Sequence, residues 1–199
     1  MLAELSTLLG STFLGLPTDR ALRDRWRNAS WSLSCVLGSD ISIVPVVTKI
    51  QGLGAIDDEL RYVDRILEPY VIRRDDHPLV NFGSHLTRSQ LWILGIYEVT
   101  RVISFRAAEV VGLFAAEGCG RIHKLKQLIE RLRAPLAKME AADAHRDTDF
   151  SFPLPAFGPG RGTEWAVNEQ LVIPRSVIAN GFLDVFEKIR HGERLEAPP

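Results

Sequence analysis

The stretch from residue 88 to residue 116 constrains the fold more than any other part of the sequence. Its charged residues, at positions 88, 98, 101, 106 and 109, fall within an arc of about 140° when each residue advances by 100°. The rest of the circumference is apolar and includes Trp92, Ile96, Val99, Ile103, Val110 and Phe114. A helix of this kind must be covered on several sides. We therefore predict a long central helix in a bundle, starting at a capping box formed by Thr87 and Gln90.

A second helix follows the central helix after a very short link. Segment 117–120 contains glycines suited to the left-handed cap that ends a helix. Beyond it, one apolar stripe runs through Ile122, Leu125, Leu128, Ile129, Leu132 and Leu136. Because short links join antiparallel neighbours, we expect an antiparallel αα-hairpin. Pro135 either kinks the second helix or begins a new one.

Two more helices are indicated by periodic apolar stripes. One runs from 56 to 70, with the acids at 57–59 in its first turn, where the helix dipole favours anions. Pro69 is expected to close it. The other opens at Pro174 and ends at Gly192.

The first fifty residues are more ambiguous. Residues 19–37 fit a helix with Thr18 as its cap, although 31–37 alternate as a strand would. We favour the helix. Residues 41–47 are rich in β-branched side chains and predict a strand, which Pro45 would place at the edge of a sheet.

Residues 148–173 change in character. Apolar residues alternate with other residues on both sides of a glycine-rich loop at 158–162, which is typical of a β-hairpin. Pro153 and Pro155 lack N–H donors, so the first arm is an edge strand or an extended segment. Together, these elements predict a mainly α protein: a helical bundle around a long central helix, with the αα-hairpin and a small peripheral β-hairpin.

Composition narrows the class of protein. The chain has 199 residues, with 24 Lys and Arg against 25 Asp and Glu, whereas proteins that coat nucleic acids are usually far more basic. Its two cysteines form no C-x-x-C motif, which argues against a structural zinc site. No positive charge precedes the apolar stretch 5–16, and the central helix carries several charges. We expect a soluble cytoplasmic protein outside the membrane, with one domain at 1–192 and a flexible tail at 193–199.

The helix at 121–138 is strongly basic, with six cations against Glu130 alone. It predicts a surface that binds phosphates or an acidic partner. The alternative is a solvated outer face, which we favour because no aromatic residue interleaves with the cations to stack on bases.

In the glycine-rich loop, N–H groups and Arg161 can surround an anion, or the glycines simply form a turn. The predicted anion-binding residues are Lys124, Lys126, Arg133 and Arg161.

An Asp-x-His-x-Asp-x-Asp run follows the basic helix. If the run is extended, its side chains project from one side and can hold a divalent metal that activates water. If it is helical, the side chains point in different directions, and the residues before it favour a helix. The candidate metal ligands are Asp143, His145, Asp147 and Asp149, with His145 also a candidate catalytic residue.

Glu169 is the second candidate catalytic residue. It interrupts the apolar alternation of the second hairpin arm, and a carboxylate buried there must be paired or protonated. Arg101 or Arg133 is the expected partner, and a structural role is expected more often than a catalytic one. A bulge would instead turn Glu169 outward.

Common enzyme motifs are missing from the sequence, including the Gly-x-Ser-x-Gly elbow, the P-loop and His-Glu-x-x-His. The αα-hairpin resembles the HEPN ribonucleases, whose active members carry Arg, four to six residues, and then His. Only three residues separate Arg73 from His77, so that activity is not carried over.

We expect a non-enzymatic interaction or assembly module, self-associating or bound to a protein partner, with no cofactor. The alternatives are an enzyme acting on a phosphorylated or nucleotide-like substrate, and nucleic-acid binding through 121–138.

Overall fold

The computed structural model describes residues 19–37, 44–75, 77, 80–109 and 116–190. Within these residues the helices are α1 (Arg20–Leu37), α2 (Val44–Arg73), α3 (Phe82–Glu109), α4 (Ala116–Lys138) and α5 (Arg175–Arg190). A 3-10 turn (Asp143–His145) and strands β1 (Leu154–Gly158), β2 (Gly162–Ala166) and β3 (Val172–Pro174) lie between α4 and α5. The predicted mainly α fold with a minor β part is confirmed.

An aromatic cluster marks the centre of the core. Trp26 of α1 stacks on Phe182 of α5, with ring centroids 5.4 Å apart, and meets Trp92 of α3 edge to face at 6.4 Å. The helix favoured for residues 19–37 is confirmed from Arg20 onward. Its apolar residues recur every three or four positions, so one face is buried through Leu22, Trp26, Ala29 and Leu33.

Close helix contacts depend on two glycines. A Cβ atom at Gly54 of α2 would lie 2.5 Å from the ring of Trp26, and one at Gly95 of α3 would lie 2.8 Å from Leu53. Each glycine therefore forms a socket for a large side chain of the neighbouring helix. These two sockets set the positions of α1, α2 and α3 relative to one another.

The αα-hairpin of α3 and α4 is confirmed as antiparallel. Tyr97 of α3 meets Arg133, late in α4, with the guanidinium 5.0 Å from the ring centroid. Ile103, further along α3, lies beside Ile122 at the beginning of α4. The second helix continues through Pro135, and no new helix begins there.

The predicted strand at 41–47 is wrong. Residues 44–47 form the first turn of α2, and 41–43 lie outside the described residues. Pro45 is compatible with this turn, because the N–H that proline lacks would have no partner inside the helix. The β-branched residues around it are tolerated because α2 is anchored further along by buried Ile50.

The predicted limits of α2 are also wrong. The acids at 57–59 lie in the middle of the helix rather than in its first turn, and the helix passes Pro69 to end at Arg73. All three acids are buried. They accept hydrogen bonds from side chains of other helices, a tertiary arrangement that overrides the helix-dipole argument.

Both predicted ends of the central helix are displaced. α3 begins after Asn81, whose side chain caps the helix by accepting a hydrogen bond from the N–H of Ser84 at 2.8 Å. Thr87, the predicted cap, lies inside the helix and donates its hydroxyl to the carbonyl of Gly83. Residues 117–120 belong to the beginning of α4 rather than to the end of α3.

α3 is buried along one face and exposed along the other. Leu91 and Phe105 are 62% and 66% exposed, so the prediction that the helix is covered on several sides is wrong for their face. Val110 and Phe114 lie outside the described residues. The remaining predicted core positions are buried: Trp92, Ile96, Val99 and Ile103. Even with this exposed face, no helix of the described residues is long and apolar enough to cross a bilayer.

The sheet has three strands rather than the two arms predicted. β1 pairs antiparallel with β2, and β2 pairs antiparallel with β3. The second arm divides because residues 167–171 form a turn, in which the side chain of Asn168 accepts hydrogen bonds from two N–H groups. β1 is an edge strand, as Pro155 predicts. Trp165 and Ile173 attach the other two strands to the core.

Candidate functional site

A groove lies between α4 and the segment that follows it. One wall is formed by residues 124–138 and the other by residues 140–145. Its volume is about 760 Å³, which is within the range of pockets that bind ligands or short chain segments. The groove brings together two parts of the sequence that were predicted separately, the basic helix and His145.

Four basic side chains of α4 line the groove: Lys124, Arg131, Arg133 and Lys138. Arg131 is already neutralised, because it donates two hydrogen bonds to Asp149 at 2.8 and 2.5 Å. The bond to Asp149 raises the pKa of Arg131. The other three form no ion pair with any described residue, and Lys124 and Lys138 are exposed. Lys124 and Lys138 therefore present positive charge to a ligand, and Arg133, which is half-buried over the ring of Tyr97, adds a third.

Acidic side chains also line the groove: Glu130, Glu140 and Asp143. Asp143 is paired with Arg146 at 2.8 Å. Glu130 accepts a hydrogen bond from the hydroxyl of Tyr97 at 3.3 Å and lies 4.0 Å from Lys126. Burial and the carboxylate of Glu130 raise the pKa of Tyr97, so its hydroxyl remains a donor. Among the described residues, Glu140 is the lining acid without an ion-pair partner.

The four predicted anion-binding residues do not form one site. Lys124 and Arg133 line the groove, whereas Lys126 lies outside its lining. Arg161 belongs to the turn between β1 and β2, where it pairs with buried Glu164 at 3.1 Å. The candidate anion site is therefore limited to part of the predicted set, together with Lys138.

The glycine-rich loop holds an anion that belongs to the chain itself. The N–H of Gly160 donates a hydrogen bond to Glu68 of α2 at 2.6 Å. Gly160 and Gly162 have φ values of +68° and +72°, as expected for the simple turn that was the alternative interpretation. The loop therefore attaches the sheet to α2.

The acidic run does not form the predicted metal site of Asp143, His145, Asp147 and Asp149. Among the described residues, no group of three or more His, Cys, Asp or Glu side chains could hold a metal ion. The run is a 3-10 turn followed by further turns rather than an extended segment, so alternate side chains do not share one side. Burial alone would raise the pKa of Asp149. The hydrogen bonds from Arg131 and Asn168 have the larger effect, so the pKa is lowered. Asp149 is therefore ionised and paired with Arg131.

Glu169 is exposed, and the prediction that it interrupts a buried face is wrong. The turn at 167–171 breaks the alternation on which that prediction rested. Arg101, one of its expected partners, pairs instead with Glu98 on its own helix. The buried carboxylate of the sheet is Glu164 of β2.

A buried network of charged side chains was missed by the sequence analysis. The guanidinium of Arg175 donates hydrogen bonds to Asp57 and Asp64, with 2.7 Å to Oδ2 of Asp64. Oδ1 of Asp64 accepts a hydrogen bond from the hydroxyl of Thr163 at 2.7 Å and lies 2.8 Å from Nε2 of His85. One signal was available in the sequence: Asp57 and Asp64 are two helical turns apart and so share a face of α2.

The partners of Asp64 decide what the network can do. Burial alone would raise the pKa of Asp64, but the hydrogen bond with His85, the charge of Arg175 and the hydroxyl of Thr163 together lower it to about 2. The carboxylate is therefore charged at neutral pH, and both of its oxygens are occupied. A buried carboxylate whose two oxygens are both occupied in this way favours a structural role over a catalytic one.

No protein-family model, curated protein or solved structure matches this chain. A proposal for its function therefore depends on the physical properties of its surfaces. The groove is the candidate that combines a concave shape with charges available to a ligand.

Proposed function

We propose that this protein is a non-enzymatic binding module, and that its groove receives an acidic segment of a partner protein. The proposal rests on the positive charge of Lys124, Arg133 and Lys138, which have no ion-pair partner among the described residues. Carboxylates of a bound segment would supply those partners. Charge complementarity of this kind gives both specificity and fast association.

The mixed charge of the groove favours a peptide over a nucleic acid. Glu130, Glu140 and Asp143 lie among the cations, where they would repel a continuous phosphate backbone. Among the described residues, the lining includes no Phe, Tyr or Trp to stack on a base. Apart from Gln127 and His145, the remaining lining is apolar and suits the side chains of a peptide: Leu128, Ala134, Ala141, Ala142 and Ala144.

Backbone groups on the far wall are also available to a peptide. Ala142 is extended, with φ −59° and ψ 139°. The N–H groups of Glu140 and Ala141 make no backbone hydrogen bond to a described residue. A peptide lying alongside in an extended conformation can accept hydrogen bonds from such groups.

The surroundings of His145 support binding rather than catalysis. A general base works with a partner that orients it and a group whose proton it takes. His145 lines the groove, and its ring makes no hydrogen bond to a described side chain; its carbonyl accepts one from the hydroxyl of Thr148. It is suited to add polarity to a binding surface.

Fluorescence anisotropy with a labelled peptide in which Glu alternates with Ala tests the proposal. We expect saturable binding that weakens as salt rises, because the contacts are largely electrostatic. The double variant Lys124→Glu/Lys138→Glu should bind at least about tenfold more weakly.

The matched control is Arg20→Glu/Lys49→Glu, which reverses two exposed charges outside the groove. This control should bind the peptide as the unaltered protein does. A labelled single-stranded RNA of equal charge serves as the competing probe. Preference for the RNA, or full peptide binding by the groove variant, would refute the proposal.

A further inference from the structure

One cation of the groove is held in position by an aromatic ring. The guanidinium of Arg133 lies over the ring of Tyr97, 5.0 Å from the ring centroid, and Arg133 is half-buried. Lys124 and Lys138 are exposed instead. An exposed lysine gives up rotamer freedom when it binds an anion, whereas a guanidinium already placed against a ring loses less. Arg133 is therefore the cation best prepared to select the geometry of a ligand.

The N–H donors of Arg133 are unused within the described part of the chain. Arg133 forms no hydrogen bond or ion pair with a described residue, although Glu130 lies three positions before it on α4. An acid and an arginine at this spacing are neighbours on a helix. Three other arginines of this protein do pair with the acid three positions before them: Asp24–Arg27, Glu98–Arg101 and Asp143–Arg146.

Tyr97 explains why Glu130 and Arg133 are not paired. Its hydroxyl donates a hydrogen bond to Oε1 of Glu130 at 3.3 Å, and Oε2 of Glu130 lies 4.0 Å from Nζ of Lys126. Tyr97 is itself buried, so its ring and hydroxyl are fixed by the core. The ring supports the guanidinium, and the hydroxyl retains the carboxylate that would otherwise neutralise it.

The chemistry of a guanidinium identifies the ligand. Its parallel N–H donors match the two oxygens of a planar carboxylate. Arg131, two positions earlier on α4, makes this interaction within the protein, donating hydrogen bonds to both oxygens of Asp149 at 2.8 and 2.5 Å. Arg133 has the same donors and lines the groove without such a partner among the described residues.

We infer that Arg133 recognises a side-chain carboxylate of the bound segment through two parallel hydrogen bonds, and that Tyr97 is a positioning residue that keeps Arg133 available. The inference rests on the proposed function and adds to it the residue that selects the partner. Tyr97 does not line the groove, so it acts through Arg133. Lys124 and Lys138 then contribute charge rather than geometry.

Isothermal titration calorimetry with the peptide in which Glu alternates with Ala tests the role of Arg133. Arg133→Lys keeps the positive charge but loses the paired donors, so the affinity should fall about tenfold. The matched control Lys124→Arg also conserves charge within the groove and should change the affinity by less than about twofold. Circular dichroism and the unfolding midpoint report whether each variant keeps the fold.

A double-mutant cycle tests the role of Tyr97. Tyr97→Phe keeps the ring and removes the hydroxyl, so Glu130 becomes free to pair with Arg133 and the affinity should fall about two- to threefold. In the Glu130→Gln background, the same substitution should leave the affinity unchanged. A merely structural role of Tyr97 would instead lower the affinity equally in both backgrounds.

The outcomes separate this inference from the proposed function. If the unaltered protein binds the peptide and Arg133→Lys binds it equally well, or if Tyr97→Phe acts equally in both backgrounds, the inference is overturned and the proposed function stands. If the unaltered protein does not bind the peptide, both are overturned.

Discussion

Arg175 and Asp64 are 111 positions apart in the sequence and meet in the interior, with 2.7 Å between Nη2 and Oδ2. The same guanidinium also holds Asp57. Because Arg175 is the first residue of α5 and both acids belong to α2, one side chain fixes the last helix against the second. Arg175 and Asp57 are completely buried, so neither charge can turn to water if the other is lost.

Replacing Arg175 should therefore lower the free energy of unfolding strongly. Arg175→Met removes the guanidinium that two buried carboxylates share, and breaking a buried pair in this way typically costs about 3–5 kcal/mol of unfolding free energy. Urea unfolding followed by circular dichroism measures the loss. Arg146→Met removes a pair whose arginine side chain is 68% exposed and should cost less than about 1 kcal/mol. Similar losses of unfolding free energy in the two variants would show that burial does not determine how much these ion pairs stabilise the protein.

Stability should decline as the solution becomes acidic. The pKa of Asp64 falls from an ordinary 3.8 to about 2 on folding. A carboxyl group whose pKa is lowered contributes fully above its unfolded pKa and loses that contribution as the pH falls towards the folded value. For Asp64 this corresponds to about 2 kcal/mol, lost progressively between about pH 5 and pH 1.

Unfolding free energies measured across that interval test the effect. Asp64→Asn removes the titrating group, so its stability should depend on pH less steeply than that of the unaltered chain, by up to about one proton. Parallel curves for the two proteins would exclude Asp64 as a source of the acid sensitivity.

Gly162 should tolerate no side chain. Its φ is +72°, and a Cβ atom would lie 2.4 Å from Oδ2 of Asp64. Gly162→Ala combines backbone strain with displacement of a buried carboxylate and should cost more than about 2 kcal/mol. Gly160→Ala has a similar φ of +68° but open space around the new methyl group, so it should cost only about 1 kcal/mol. Equal losses of unfolding free energy in the two variants would argue against the steric explanation.

Two glycines of α2 should respond in opposite directions to alanine. Gly52 has open space around the position of a Cβ atom, so Gly52→Ala should stabilise the helix by about 0.5–1 kcal/mol. Gly54→Ala would force the new methyl group against Trp26 and should destabilise the protein by about 1–3 kcal/mol. Thermal unfolding midpoints of both variants provide the comparison, and a shift of the same sign in both would be inconsistent with the packing described.

Replacing Met139 by glycine should stabilise the protein. It is 75% exposed, has a φ of +58°, and ends α4 by donating its N–H to the carbonyl of Pro135. Met139→Gly relieves the left-handed strain and should raise stability by about 0.5–1 kcal/mol, after the greater freedom of glycine in the unfolded chain is included. Met139→Ala keeps the strain and serves as the control. No gain of glycine over alanine would show that the backbone is unstrained here.

The helices of the core follow from periodicity, and their ends do not. In α1, the spacing of Leu22 and Trp26 is enough to predict a helix, because one face is buried from Leu22 to Leu33. In α2, the local signal of residues 44–47 resembles a strand, and the burial of Ile50 beyond them determines the helix. Such burial depends on neighbours from other parts of the chain, which a local pattern does not contain.

The residues of the groove could be recognised from the local sequence, whereas the ion-pair network could not. Lys124, Arg133 and His145 are visible as candidates because their chemistry is concentrated in one short region. The partnership of Arg175 with Asp57 depends on the approach of two distant helices. An isolated arginine after Pro174 gives no sign that it will be buried.

The sockets at Gly54 and Gly95 restrict the ways in which this protein can respond to a partner. Shear between packed helices requires side chains that pass over one another in small steps. Here Trp26 and Leu53 are each seated against a neighbouring backbone that has no side chain at the contact, so any axial slip meets the flanking residues directly. Occupancy of the groove is therefore not relayed by sliding of α1, α2 and α3. We therefore expect the three helices to keep their relative positions when a partner binds at α4.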